Sequence, residues 1–302
     1  MLESISLGTP SKVLREQHLV ETDWLAEHLS DVSQKLRIID MRGFVKTETS
    51  PNGLQTAEYL GAVEEYEKSH IPGAIYLDWT RDIVDLENPV PVQLASPEKI
   101  KLVLESAGIG EEHQIIVYDA HPASQFATRL WWALRYYGHF NIRVLNGGWA
   151  KWLREGRPRT TEKPHFPPSS FTPKIQSEGL ISAKEIFEKL GNPNINLIDA
   201  RDEGQFTGKI QRGERGGHIP GALSLPREVF FTQEGVFRNA EELVEIIDKN
   251  CISHEKQTIA YCNGGVAATS VLFTLSMLGY SQLYNYDGSW NEWNLRKELP
   301  IE

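Results

Sequence analysis

The 302-residue sequence predicts two similar α/β domains, each built on a parallel sheet, and three observations predict them. First, the chain repeats itself in order. LRIIDMR at 36–42 returns as INLIDAR at 195–201, SHIPGAIYLD at 69–78 as GHIPGALSLP at 217–226, and VLNGGWAKW at 144–152 as NYDGSWNEW at 285–293. Second, short apolar runs alternate with helical patterns in both halves, and strands that alternate with helices form a parallel sheet covered on both faces. Third, each half comes to about 140 residues, an ordinary domain size.

In chain order, the strand-like runs of the first half are LRIID, IIVYD and IRVLN, and those of the second are NLIDA, TIAYC and LYNYD. ATRLWWALRYYG and ATSVLFTLSMLG carry apolar residues at helical spacing and end in Gly, a common helix stop. Between the halves, EGRPRTTEKPHFPPSSFTPKIQSEG is rich in Pro, Ser and Thr. Proline fixes φ and cannot donate a backbone hydrogen bond, so this stretch is expected to be an extended linker lying across a surface. The expected boundaries are 1–154 for the first domain, 155–178 for the linker and 179–302 for the second domain.

Hydrophobic content of 40% and charged content of 24% fit a globular protein. No apolar run approaches the roughly 20 residues that span a bilayer, and the start, MLESISLGTPSKVLREQ, lacks a basic region followed by an apolar stretch. A cytoplasmic protein with no membrane partner is therefore expected. The net charge of -10 argues against nucleic acid as a partner, because phosphate binding needs concentrated Lys and Arg. Any anion site must be local. The 2 cysteines, Cys251 and Cys262, make no disulfide framework for a chain of this size and imply a reducing compartment.

Cys262 follows the strand-like QTIAY, and the carboxyl ends of strands in such sheets are where ligands bind. Asn263, Gly264, Gly265, Val266 and Ala267 lead from it into the next helical pattern. The two glycines tolerate positive φ and place no Cβ in the way. A loop of this kind can turn its N–H groups around the sulfur, beside the positive end of a helix, and so stabilise the nucleophilic thiolate. The plain alternative is a small buried hydrophobe, a common fate of free cysteine.

The repeat favours chemistry. In VYDAHPASQFATRLWW of the first half, Asp119 stands where Cys262 stands in the second, and two more residues precede the shared Ala-Thr. Asp119 cannot act as a thiolate, so the first half is expected to be catalytically inactive. Cys251, without a Gly-rich loop or a repeat partner, reads as structural.

Both HIPGA blocks, VLNGGWAKWL, IDAR, YCNGGVA and YDGSWNEW together resemble the tandem-domain rhodanese sulfurtransferases, a family that includes thiosulfate and 3-mercaptopyruvate sulfurtransferases. The resemblance covers nearly the whole chain. It implies two rhodanese-like domains, each a five-stranded parallel sheet flanked by helices, with the catalytic cysteine in the second. Under it, Cys262 takes a sulfane sulfur from a small anionic donor, holds it as a persulfide and passes it to cyanide or a thiol. Thiosulfate is the expected donor and 3-mercaptopyruvate the alternative, and no metal or organic cofactor is implied. A reading of another class is a persulfide carrier or regulatory binding module loaded by a partner protein. Phosphatases that share the sheet are disfavoured, because they place an Arg six positions after the cysteine, where this chain has Ala268.

Departures from the family pattern bear on the substrate. Members that prefer thiosulfate resemble one another in basic residues just after the cysteine, and members that prefer mercaptopyruvate in a Gly-Ser-Gly loop; Asn263 and Gly264 supply neither device. The family also tends to place an Arg at the position of Gln205, facing the mouth of the site. Arg212 and Arg215 are candidates to replace it, because a bidentate guanidinium suits carboxylate or sulfonate, with solvated loop charges as the alternative. Arg201 and Asp287, both at strand ends, complete the candidate substrate contacts, with bracing of the sheet edge as the alternative for Arg201 and orientation of the loop for Asp287. His70 and His218 recur in both halves, including the one without a cysteine, and so read as structural.

Overall fold

The computed structural model describes residues 10–33 and 35–302; the first nine residues, part of the start read above, lie outside them. The first half holds β1 (Leu19–Val20), β2 (Leu36–Asp40), β3 (Gly43–Thr49), β4 (Gln55–Gly61), β5 (Ala74–Tyr76), β6 (Gln114–Tyr118) and β7 (Ile142–Leu145). The second holds β8 (Ile195–Asp199), β9 (Leu223–Ser224), β10 (Gln257–Tyr261) and β11 (Leu283–Asn285).

The first sheet runs β1-β7-β6-β2-β5 and the second β11-β10-β8-β9, with every pairing parallel. β6 and β10 are nearly all buried, which is why IIVY and TIAY are continuous apolar runs rather than alternating ones. In the second sheet the expected fifth strand is reduced to one parallel bridge between Leu180 and Asn285. Gly179 before it has φ +116°, and Ser182 after it caps the helix Ala183–Lys189, so the chain leaves the sheet after a single residue.

The largest core runs through both domains. The helix Gln125–Tyr136 of the first half and the helix Ala268–Met277 of the second are buried along almost their whole length. Trp131 meets Phe273 edge to face at 4.9 Å. Thr128 Oγ1 lies 3.0 Å from Thr269 Oγ1 and 3.2 Å from Ser270 Oγ, which donate their own protons to Val266 O at 2.6 Å and Ala123 O at 2.9 Å, so the buried hydroxyls of this contact are satisfied. Two smaller cores fill the outer faces of the two sheets. Because these two helices follow Asp119 and Cys262 respectively, their packing brings the two loops together at the domain interface.

The linker is extended and lies on the first domain. Thr160 bridges His70, Ser169 N–H donates to Glu105 O at 3.2 Å, Lys174 N–H to Tyr137 O at 2.9 Å, and Phe171 is buried. β3 and β4 form an antiparallel hairpin that stands apart from the first sheet and reaches the second domain. At its tip Leu54 bridges Gln211, Gln55 N–H donates to Gln211 O and Gln211 N–H to Gly53 O, both at 2.8 Å. Ser-Pro-Asn-Gly at the tip is a turn signal; the docking of that tip more than 150 residues along the chain leaves no local trace.

Candidate active site

Cys262 follows β10 at its carboxyl end, 3% exposed, and lines a pocket of about 230 Å³ between the two domains. Residues 263–267 then lead into the helix Ala268–Met277. The N–H groups of Val266, Ala267 and Ala268 find no acceptor among the described residues. They are the open donors of a helix start, and an anion on the sulfur is what such donors take.

The loop is held from several sides. Ser289 Oγ accepts from Cys262 N–H at 3.1 Å and Gly265 N–H at 2.9 Å, and donates to Tyr286 O at 2.6 Å. It does so from φ +51°, a conformation that costs a non-glycine residue strain. Gly265 has φ +69°, and a Cβ there would lie 2.7 Å from Asp287 Oδ1. Gly265 O in turn accepts from Asn285 Nδ2 at 2.9 Å and from Arg129 Nη1 at 3.2 Å. At Gly264 a Cβ would lie 2.6 Å from Val92 Cγ2, so a first-domain segment covers the place where a basic residue would sit.

Asp287 belongs to this bracing rather than to the pocket wall. Its Oδ1 pairs with Arg129 Nη1 at 2.5 Å, and its Oδ2 accepts from Leu94 N–H at 2.7 Å. This corrects its candidacy as a substrate contact and agrees with the alternative that it orients the loop.

The candidate arginines separate. Arg215 donates to the carbonyls of Asn294 and Trp293 at 2.8 Å, Leu299 at 2.9 Å and Arg296 at 2.8 Å, and it does not line the pocket. Its candidacy is corrected: the guanidinium ties the carboxyl-terminal segment together. Arg201 lines the pocket, yet its Nε and Nη2 are bonded to Asp199 and Gly217 O, and its Cζ lies 4.3 Å from the centre of the Trp290 ring. Asp40, Arg42 and Trp149 make the same arrangement in the half without a cysteine, which marks it as a brace of the fold. Arg212 lines the pocket and donates to Tyr59 OH at 2.7 Å. Gln205 lines it too, as the middle of an amide chain: its Nε2 donates to Gln55 Oε1 at 3.0 Å, and its Oε1 accepts from Asn263 Nδ2 at 2.8 Å.

His70 Nδ1 lies 2.7 Å from Tyr66 O and His218 Nδ1 2.8 Å from Phe206 O, equivalent backbone contacts in the two halves.

Much of the pocket comes from the first domain and was not singled out in the sequence. Val45, Thr47, Gln55 and Tyr59 arrive on the hairpin, His121 on the loop after β6, and Gln125 at the start of the helix that follows it. From the second domain, Arg227 joins them just after β9. Arg129 and Ser289 were also missed, although the repeat marks both: they stand where the other half has Ser270 and Gly148.

The arrangement can do nucleophilic chemistry on a small anion: a buried thiol that lines the pocket, open backbone donors at the helix start that follows it, and guanidinium groups lining the same pocket. Comparison with known proteins agrees. The rhodanese-like domain pattern matches the chain twice, over residues 21–155 and 182–296. The chain is 31% identical over 282 residues to the thiosulfate sulfurtransferase of Rattus norvegicus, covering 91% of each protein. It is 31% identical over 296 residues to the sulfur carrier protein TtuD of Thermus thermophilus, covering 94% of this chain and 95% of that one. Its fold matches the crystal structure of the 3-mercaptopyruvate sulfotransferase SseA from Escherichia coli with a TM-score of 0.78 and 31% identity, over 90% of this chain and 98% of that one.

Proposed function

The chain belongs to the rhodanese-like family and is a sulfurtransferase, and from that premise we propose that it moves a sulfane sulfur from thiosulfate to cyanide or a thiol through a persulfide on Cys262. The observation that carries this reading is the position of Cys262: lining the interdomain pocket, in a loop pinned by Ser289, just before the open start of the helix Ala268–Met277.

In the first step the Cys262 thiolate attacks the outer sulfur of thiosulfate; the new S–S bond forms as the old one breaks, and sulfite leaves with the electron pair. The terminal sulfur of the persulfide then carries the negative charge, and it can accept hydrogen bonds from the open N–H groups of Val266, Ala267 and Ala268. In the second step cyanide or an acceptor thiolate attacks that terminal sulfur, and Cys262 leaves as thiolate. Dividing the transfer in two in this way is the ordinary benefit of a covalent intermediate.

3-Mercaptopyruvate is the second donor reading. The likeness to the Escherichia coli enzyme favours it, and a carboxylate suits the same guanidinium groups as a sulfonate. We place the protein in the cytoplasm, a reducing compartment, because Cys251 and Cys262 are both free thiols. Among the described residues no helix is long and apolar enough to cross a membrane.

The test is turnover with each donor and cyanide as acceptor, followed as thiocyanate. Higher kcat/KM with thiosulfate supports the reading, and the reverse order assigns 3-mercaptopyruvate. Turnover with neither, in a protein that still accepts sulfur from another persulfide protein, would replace it with a carrier.

A further inference from the structure

Three guanidinium groups reach the pocket, and they differ in what they are already doing. Arg201, 1% exposed, is spent on Asp199 and Gly217 O. Arg212 is engaged with the hairpin through Tyr59 OH. Among the described residues Arg227 makes one ion pair, at 2.7 Å with a Glu228 carboxylate that is itself 53% exposed, and its buried Nε has no partner there. A pair whose carboxylate half faces water is worth little, so an entering anion can compete for the guanidinium.

His121 lines the same pocket from the other domain. Ala123 N–H donates to its Nδ1 at 3.0 Å, so the neutral ring carries its proton on Nε2, and among the described residues no group is bonded to that nitrogen. Burial first, and then the charge of Arg227, hold its pKa down to about 3, which keeps the ring neutral at ordinary pH. It is therefore a hydrogen-bond donor and not a second cation. His121 sits in the loop of the first half that is two residues longer than its counterpart, the loop in which Asp119 replaces the cysteine.

We propose that Arg227 and His121 form the clamp that holds the anionic end of the sulfur donor, with the guanidinium taking the sulfonate or carboxylate and His121 Nε2–H adding a hydrogen bond from across the interface. The proposal rests on the reading of Cys262 as the sulfur carrier. It gives the loop without a cysteine a task in the other domain's pocket, and it supplies positive charge in a pocket where Gln205 offers none.

The experiment follows persulfide formation on Cys262 by mass, against the concentration of three donors: thiosulfate, 3-mercaptopyruvate and an uncharged organic trisulfide. Arg227→Gln removes the charge. His121→Asn keeps an acceptor for Ala123 N–H and removes the Nε2 donor. Arg227→Gln is expected to raise the half-saturating concentration of the anionic donors on the order of tenfold, and His121→Asn to raise it severalfold, the loss of a charge-assisted and of an ordinary hydrogen bond. Neither should change the reaction of the uncharged donor, and Arg227→Lys should recover part of the loss. A rise for only one of the two anions would name the group that the clamp holds. Unchanged half-saturation in Arg227→Gln, or an equal loss with the uncharged donor, would overturn the clamp. Failure of the wild-type protein to take sulfur from any donor would overturn the sulfurtransferase reading itself, a distinct result.

Discussion

The loop after β6 and the loop after β10 start from the same strand-to-helix geometry and fill it differently. In the first, Asp119 Oδ2 accepts from Phe126 N–H and Ala127 N–H, both at 2.8 Å, while Oδ1 accepts from His121 N–H at 2.9 Å. In the second, the repeat aligns Phe126 and Ala127 with Ala267 and Ala268, whose N–H groups are open. The fold thus builds an anion cradle twice. The first half closes its own with a side chain, and the second leaves its cradle to whatever charge forms on Cys262. The following turn differs in one further atom group. Gly148 and Ser289 adopt nearly the same φ, +49° and +51°, but only the serine has an Oγ, which holds the backbone of Cys262 and Gly265.

Replacing the one atom that defines the contrast should have the largest effect. Cys262→Ser is expected to lower sulfur transfer by about 10³-fold or more, because a hydroxyl is not ionised near neutral pH. The thermal midpoint should barely move, as the side chains are similar in size. Wild-type turnover in this variant would remove Cys262 from the mechanism.

Ser289→Gly turns the second loop toward the first. The backbone conformation is kept, two buried N–H groups lose their acceptor, and kcat should fall about tenfold to a hundredfold at unchanged fold. Steady-state kinetics with circular dichroism as control reads this, and an unaltered kcat would show that the pinning of the loop is not needed.

Burial raises the Asp119 carboxyl from 3.8 to about 7, against the weaker pull of its three backbone donors. An acid whose pKa is raised by folding adds stability below its unfolded value, and that contribution is lost as pH rises through the folded one. Between pH 4 and 7 the wild type should therefore lose roughly 2 to 4 kcal/mol relative to Asp119→Asn, read from denaturant unfolding at both pH values. A constant difference would place the carboxyl in an ordinary environment.

The smallest effect is expected from Asp119→Cys. The longer loop and the glycine at 148 leave the new thiol without the second loop's support, so no second persulfide should appear by mass. Its formation would show that the cradle alone suffices.

The repeats made the pair of sheets legible, since apolar runs of period-free burial and Gly-stopped helices are local signals. The strand-to-helix turn at Cys262 was legible for the same reason, beside a twin turn that carries Asp119. What stayed hidden depends on distant partners. Arg129 touches Asp287 and Gly265 across 158 and 136 residues, and the hairpin meets Gln205 and Gln211 only once the domains have packed. Arg215 misled because a guanidinium in a polar loop looks available until the carbonyls that receive it are in place. The fifth strand of the second sheet was lost to a glycine and a helix cap that a five-strand expectation does not weigh.

The central claim is that the sulfur passes through Cys262. The most direct measurement is the intact mass of the reduced protein after brief exposure to thiosulfate or 3-mercaptopyruvate, with Cys262→Ser alongside. The account predicts a gain of one sulfur atom in the wild type that cyanide removes and that Cys262→Ser lacks. The same gain in Cys262→Ser, or a gain in the wild type located at Cys251, would contradict it.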